Sequence, residues 1–182
     1  MNNCLILVDL QNDYFPGGAM ELVGIEEAAA KARILLNEFR RTKSPVIHIQ
    51  HLSARPGATF FLPGTDGAEI NQKVTPQGDE PVVVKNFPNS FRGTSLLEIL
   101  KERKINQLVI CGAMSHMCID ATARAAFDLG FNCMVAEDAC ATKDLSFKGK
   151  TIKAAEVHAS FMAALSAPYA KVISTKEIFE SM

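Results

Sequence analysis

Cys118 is the residue of this 182-residue chain best placed to do chemistry. It follows the apolar run Leu108-Val109-Ile110-Cys111 and the turn Gly112-Ala113-Met114-Ser115-His116-Met117, and it precedes Ile119-Asp120-Ala121-Thr122-Ala123. A short, partly β-branched run reads as a buried parallel strand, and Ile119, Ala123, Ala126 and Phe127 recur at helical spacing. With Ser115 as the expected N-cap, Cys118 falls in the first helical turn, where free N–H groups and the helix dipole favour an anion. The thiolate is such an anion and the reactive form of cysteine, so a lowered thiol pKa is expected here. Two further residues end apolar runs: Asp9 after Cys4-Leu5-Ile6-Leu7-Val8, and Lys85 after Val82-Val83-Val84, which reads as a strand buried on both sides. Asp9-Leu10-Gln11-Asn12-Asp13 gathers more polarity than a plain turn requires. Each of the three also has a plainer use: a carboxylate capping a loop N–H, a surface lysine, a small buried thiol.

The elements that would position these residues alternate. Strands are expected at Cys4 to Val8, Val46 to Gln50, Val82 to Lys85, Leu108 to Cys111, Cys133 to Ala136 and Lys171 to Ser174. Helices are expected at Ile25 to Arg41, Ser95 to Lys104, Ile119 to Leu129, Lys150 to Leu165 and, briefly, Lys176 to Glu180. Alternation of this kind gives a parallel sheet with right-handed crossovers and helices on both faces. In a doubly wound sheet the C-terminal strand ends share one rim, where ligands bind, and Asp9, Lys85 and Cys118 all fall there. The connection from Leu52 to Pro81, rich in Gly and Pro and carrying Phe60-Phe61, is long enough to imply a function of its own.

Composition narrows the classes. With 48% hydrophobic and 21% charged residues, the chain suits one compact domain over 1–182. Nineteen basic and 20 acidic residues, mixed along the sequence, offer no stripe for nucleic acid or an anionic membrane. The N-terminal apolar run is too short for a secretory or spanning segment, so a cytoplasmic protein is expected. Five cysteines, with Cys4, Cys111 and Cys133 in strands, suit free thiols better than a disulfide framework; Cys140 is left undecided. No Gly-x-Gly-x-x-Gly follows a strand, which sets nucleotide-dependent chemistry aside.

In order and context, Asp9-Leu10-Gln11-Asn12-Asp13-Tyr14-Phe15, Lys85, and Gly112-Ala113-Met114-Ser115-His116-Met117-Cys118-Ile119 resemble the isochorismatase-like cysteine hydrolases, relatives of nicotinamidase and N-carbamoylsarcosine amidohydrolase. Asn89-Ser90-Phe91, Gly93-Thr94, Thr122-Ala123-Arg124 and Glu137-Asp138-Ala139 extend the resemblance over nearly the whole chain. It implies a three-layer α/β/α Rossmann-like fold with a six-stranded parallel sheet of order 3-2-1-4-5-6. It also implies a triad. Cys118 would attack a carbonyl, Asp9 would act as general base and then general acid, and Lys85 would supply positive charge that favours both anions. A cis peptide before Met114, and an oxyanion hole from the N–H groups of Met114 and Cys118, belong to the same implication. Because isochorismatase proper lacks this cysteine, an amide, ureido or related C–N bond is the expected target, through a thioester. A non-catalytic small-molecule-binding or regulatory module on the same fold is the alternative.

The metal-holding nicotinamidases carry Asp-x-His after the second strand, whereas this chain has His48-Ile49-Gln50-His51 with no aspartate. Two histidines three apart on a strand face opposite ways, so neither a metal nor another cofactor is expected. His48 reads as an interior residue and His51, nearer the rim, as a substrate contact. Phe15, Phe91, Met114 and Phe60 or Phe61 are expected as apolar walls, with Gln11, Asn89, Ser115 and His116 as polar groups, which suits a small, mostly apolar substrate with a polar head. His158 is expected on a helix surface or a subunit interface. The apolar helix end Phe161-Met162-Ala163-Ala164-Leu165 would suit a homo-oligomer, dimer or tetramer.

Overall fold

The computed structural model describes residues 2–181. Five strands alternate with helices along most of the chain: β1 (Asn3–Val8), α1 (Ile25–Arg41), β2 (Val46–His51), β3 (Val82–Lys85), α2 (Leu96–Glu102), β4 (Gln107–Ala113), α3 (Asp120–Asp128) and β5 (Asn132–Ala141). A hairpin of β6 (Leu145–Phe147) and β7 (Lys150–Ile152) follows, then α4 (Ala154–Leu165), β8 (Lys171–Ile173) and α5 (Thr175–Ser181). Six strands pair in parallel in the order β3-β2-β1-β4-β5-β8, which is the expected 3-2-1-4-5-6 once the hairpin is set aside.

Alternate residues of β1 feed two separate cores, as the period of a strand requires. Leu5 and Leu7 pack with α1 and α5 through Ala32, Leu36 and Ile178, while Cys4, Ile6 and Val8 pack with α2, α3 and α4 through Leu100, Ala123 and Leu165. This is the three-layer arrangement.

Two sequence expectations fail here. The Val82 to Lys85 run is an edge strand rather than a strand buried on both sides: Val82 and Val84 are 43% and 45% exposed, while Val83 and Lys85 point inward. A helix from Lys150 is replaced up to Ile152 by the second strand of the hairpin. Lys148 and Gly149, both at positive φ, make its two-residue turn. Asp144 then receives the Ala154 N–H at 2.8 Å and starts α4 four residues late. The apolar end of α4 is partly spent on its own core, with Met162 and Leu165 buried.

The 52–81 connection is held to the segment after β1. Asn12 Nδ2 donates to Asp66 O at 2.9 Å, and the two carboxylate oxygens of Asp13 accept the Phe61 and Ala19 N–H groups at 2.6 and 3.2 Å.

Candidate active site

Asp9, Lys85 and His51 arrive from three neighbouring strands, and Cys118 comes from the turn after a fourth. Asp9 is the first residue beyond β1 and adopts φ 51, a left-handed conformation that Asp tolerates better than most residues. Its N–H donates to Ile49 O at 3.0 Å. Lys85 and His51 are register partners on β3 and β2. Cys118 lies in one wide turn, Ser115–Ile119, that leads into α3. That turn follows Gly112, at φ 124 and paired with Val8, where an added Cβ would strike the Val8 main chain. The Ala113–Met114 peptide is cis.

Lys85 is the hub. Its ammonium donates to Asp9 Oδ2 at 2.8 Å, Cys118 Sγ at 3.2 Å and Phe87 O at 3.1 Å, and it lies 3.0 Å from His51 Nδ1. Asp9, Lys85 and Cys118 are all buried. A carboxylate oxygen of Asp9, a ring nitrogen of His51 and Cys118 Sγ lie within 4.8 Å of one another, close enough to ligate a cation. The Lys85 ammonium sits among all three and supplies that positive charge itself. His48, by contrast, turns to Glu80 at 2.9 Å, so the two histidines serve different sites.

The electrostatics differ from the sequence expectation at the sulfur. Burial, reinforced by the Asp9 carboxylate, pushes the Cys118 thiol well up, and Lys85 only partly offsets this. At rest the sulfur therefore holds its proton. Burial also disfavours the charge on Lys85, but Asp9 and Cys118 outweigh it and raise the ammonium's pKa. Burial and Lys85 lower His51, so its Nδ1 accepts from the ammonium as a neutral ring. Asp9 Oδ1 is buried without a hydrogen-bond partner, and a carboxylate oxygen of Asp9 lies within 4.8 Å of the Cys118 sulfur.

Of the other residues named from sequence, His51 and Phe60 line a cleft of about 290 Å³ together with Ser53, Arg55, Asn86 and Met117. The rest are engaged elsewhere. Gln11 is buried and spends its amide on His51 O, the His51 N–H and Ala68 O, bracing β2 and the long connection rather than facing a ligand. Phe15 belongs to the core beside α1 and lines a separate cavity with Asn12 and Pro16. Asn89 Oδ1 accepts the Phe91 N–H at 2.9 Å, and Phe91 stacks on Phe131. Ser115 is not an N-cap: its hydroxyl is 2.8 Å from His158 Nδ1 and donates to Ala141 O at 3.3 Å. His116 turns to Thr142 at 2.6 Å. His158, half-buried on α4, is thus a partner of the turn. Met114 is buried, and its N–H has no acceptor among the described residues.

Sequence reasoning missed Tyr14. Its ring is buried at 4.6 Å from Phe61 and 6.1 Å from Phe60. Burial and the nearby Cys118, Asp9 and Asp13 hold the phenol well above its ordinary pKa. Its hydroxyl makes no hydrogen bond among the described residues. The signal was Tyr14's place in the same polar segment as Asp9.

All five cysteines are free and buried, Cys140 included. Burial raises the Cys140 thiol to about 12, as it also raises those of Cys4 and Cys133.

A buried cysteine, carboxylate and lysine thus meet at the C-terminal rim of a doubly wound sheet. The family model describing the isochorismatase domain matches residues 3–177. The chain belongs to the isochorismatase family. It is 49% identical over 176 residues to the uncharacterised isochorismatase family protein YddQ of Bacillus subtilis (strain 168), covering 97% of this chain and 98% of that protein. The crystal structure of an isochorismatase-hydrolase relative from Oleispira antarctica superimposes with a TM-score of 0.95 at 51% identity, covering 98% of this chain and 96% of that one. A streptothricin hydrolase of Streptomyces noursei is 35% identical over 144 residues, 78% of this chain but 50% of that protein. Among the described residues no helix is long and apolar enough to cross a membrane.

Proposed function

We propose that this protein is a cysteine-dependent hydrolase that cleaves an amide, ureido or related C–N bond of a small molecule through a covalent thioester. The observation that carries this reading is the setting of Asp9: Oδ2 accepts from Lys85 at 2.8 Å, Oδ1 is buried without a partner, and a carboxylate oxygen lies within 4.8 Å of a Cys118 sulfur whose thiol pKa burial raises. A thiol of that kind reacts only with a base at hand.

In the proposed cycle Asp9 removes the thiol proton as Sγ attacks the carbonyl carbon. The Lys85 ammonium, 3.2 Å from the sulfur, stabilises the thiolate as it forms. The unpaired Met114 N–H, with that of Cys118, receives the developing oxyanion. Protonated Asp9 then returns its proton to the leaving nitrogen, the C–N bond breaks, and the acyl group remains on sulfur. Water, deprotonated by Asp9, attacks the thioester. The carboxylic acid departs and Asp9 returns the proton to the Cys118 thiolate. The site so described takes a small-molecule substrate and asks for no further catalytic group.

Ammonia release from a panel of small amides and ureides tests this. Cys118→Ala and Asp9→Asn should each lower kcat/KM by about a thousandfold or more while leaving the folded state intact by circular dichroism. Iodoacetamide at neutral pH should modify Cys118 ahead of the other four cysteines, and Asp9→Asn should slow that modification. Uniform slow labelling of all five, with no amide turned over, would point instead to a binding or regulatory module on this fold.

A further inference from the structure

Two histidines that the proposed cycle does not use bind the nucleophile turn to its surroundings. The turn is closed on itself by Met114 O, which accepts the Met117 and Ile119 N–H groups at 3.0 and 3.2 Å. Ser115 and His116 tie it outward. The fully buried Ser115 hydroxyl lies 2.8 Å from His158 Nδ1 and 3.3 Å from Ala141 O, and His116 Nδ1 lies 2.6 Å from Thr142 Oγ1. Consecutive residues of the turn thus meet consecutive residues at the end of β5. Ala141 is also the register partner of Ala113. The Ser115 hydroxyl therefore fastens the residue after Met114 to the strand beside the residue before it, and so brackets the Met114 N–H.

The hydrogens of this chain of contacts can be placed. A serine hydroxyl carries one hydrogen, and a carbonyl oxygen can only accept. Both contacts are satisfied together only if Ser115 donates to Ala141 O while His158 Nδ1 carries a hydrogen and donates it to Ser115. Were Nδ1 the acceptor, two sets of lone pairs would face each other across the 3.3 Å to Ala141 O. Burial lowers the His158 pKa, so near neutral pH the ring is uncharged and its Nε2 carries no hydrogen.

We infer that His158 is a positioning residue of the nucleophile turn, acting through the Ser115 hydroxyl to fix the direction of the Met114 N–H. That N–H is the group assigned above to the developing oxyanion. Without His158, Ser115 is left with one long contact, and the misdirection is felt where charge develops, in the transition state rather than in the bound substrate. The inference rests on the hydrolase reading for the reaction served, but not for the relay itself.

Two amide side chains at position 158 test the assignment, because the Asn nitrogen takes the place of Nδ1 and the Gln nitrogen that of Nε2. His158→Gln is closer in size and would be the better replacement if the ring only filled space. His158→Asn is the better one if the ring donates to Ser115. His158→Ala and His158→Gln should lower kcat by about tenfold, the worth of one hydrogen bond, with KM within about twofold of wild type, and His158→Asn should restore kcat to within about threefold. Ser115→Ala should lower kcat as much as His158→Ala, and the double variant no further. His158→Gln as active as His158→Asn, additive losses, or a loss confined to KM or to the thermal midpoint overturns the inference. Nitrogen-15 NMR of the ring reads the relay without substrate: the hydrogen should sit on Nδ1, and one found on Nε2 in the wild type overturns it. If the wild type turns over no amide, the hydrolase reading falls and iodoacetamide labelling judges the positioning. The Cys118 rate should then change by at least about threefold in His158→Gln and return in His158→Asn. An unchanged rate overturns the role of His158.

Discussion

The Lys85 ammonium and the Asp9 carboxylate form a fully buried ion pair at 2.8 Å, in which the lysine also serves Cys118 and the aspartate keeps one oxygen free. A buried pair gains little over apolar residues of the same shape, but breaking it leaves an uncompensated charge. Lys85→Ala is therefore expected to destabilise the fold by about 3–5 kcal/mol in urea denaturation. The double variant Asp9→Asn/Lys85→Met, with no charge left to strand, should lose less than Lys85→Ala alone. A single substitution costing under about 1 kcal/mol would show that water or rearrangement screens the pair.

Gly112 sets the path of the nucleophile turn. Its φ of 124 is a region that L side chains avoid, and a Cβ would overlap the main chain of Val8 on the adjacent strand. Gly112→Ala should destabilise by about 3 kcal/mol or more, or prevent folding, because the atoms it would strike are Val8 main chain and not a side chain that could move. Gly57, at φ 75 with open space around it, is a control: Gly57→Ala should cost only its backbone strain, about 1 kcal/mol. Equal effects at the two sites in thermal melts would contradict the close approach at Gly112.

The sheet order was legible because parallel strands announce themselves as apolar runs, and the rim residues because strand ends follow from the runs. Lys85 was placed at the rim from a run read as buried on both sides, whereas β3 alternates, with Val82 and Val84 outward and Lys85 inward, because the strand lies at the edge of the sheet. The polarity of residues 11 to 13 was visible, but its purpose was not. Gln11, Asn12 and Asp13 bind backbone 50 or so residues away, and such partners have no local signature. The thiol's ionisation was misjudged because a helix start argues for a lowered pKa, whereas burial, which only the packed structure supplies, dominates. Ser115 was misread for a similar reason, since its partner His158 comes from a distant helix.

Tyr14 offers a hydroxyl without a partner among the described residues, near Cys118 and Asp9, and its ring packs against Phe60 and Phe61 of the long connection. If that hydroxyl meets substrate, Tyr14→Phe should lower kcat/KM by about tenfold. The same change should leave the unfolding free energy measured in urea within about 0.5 kcal/mol of wild type, because no internal hydrogen bond is lost. A loss of stability without a loss of kcat/KM would assign Tyr14 to packing alone.

Glu80 makes the acid response of the fold specific. Burial opposes its charge, but two hydrogen bonds from Arg40 at 2.7 Å, the Gln77 N–H and His48 hold its carboxyl down at about 2, from an ordinary 4.5. A depressed carboxyl pKa stabilises the fold above the unfolded value, and that contribution is lost as pH falls from about 4.5 toward 2. His48 adds a loss that begins earlier. Burial lowers its pKa below 6.5, so the unfolded chain takes up a proton that the folded ring refuses. Glu80→Gln should lower stability near neutral pH by about 1–3 kcal/mol, since it leaves Arg40 and His48 without their charged acceptor. Plotted against pH, the gap in Tm between wild type and Glu80→Gln should be widest above 4.5 and should close toward 2. A gap that stays constant across that window would show that the Glu80 charge contributes nothing and that only the shape of the side chain matters.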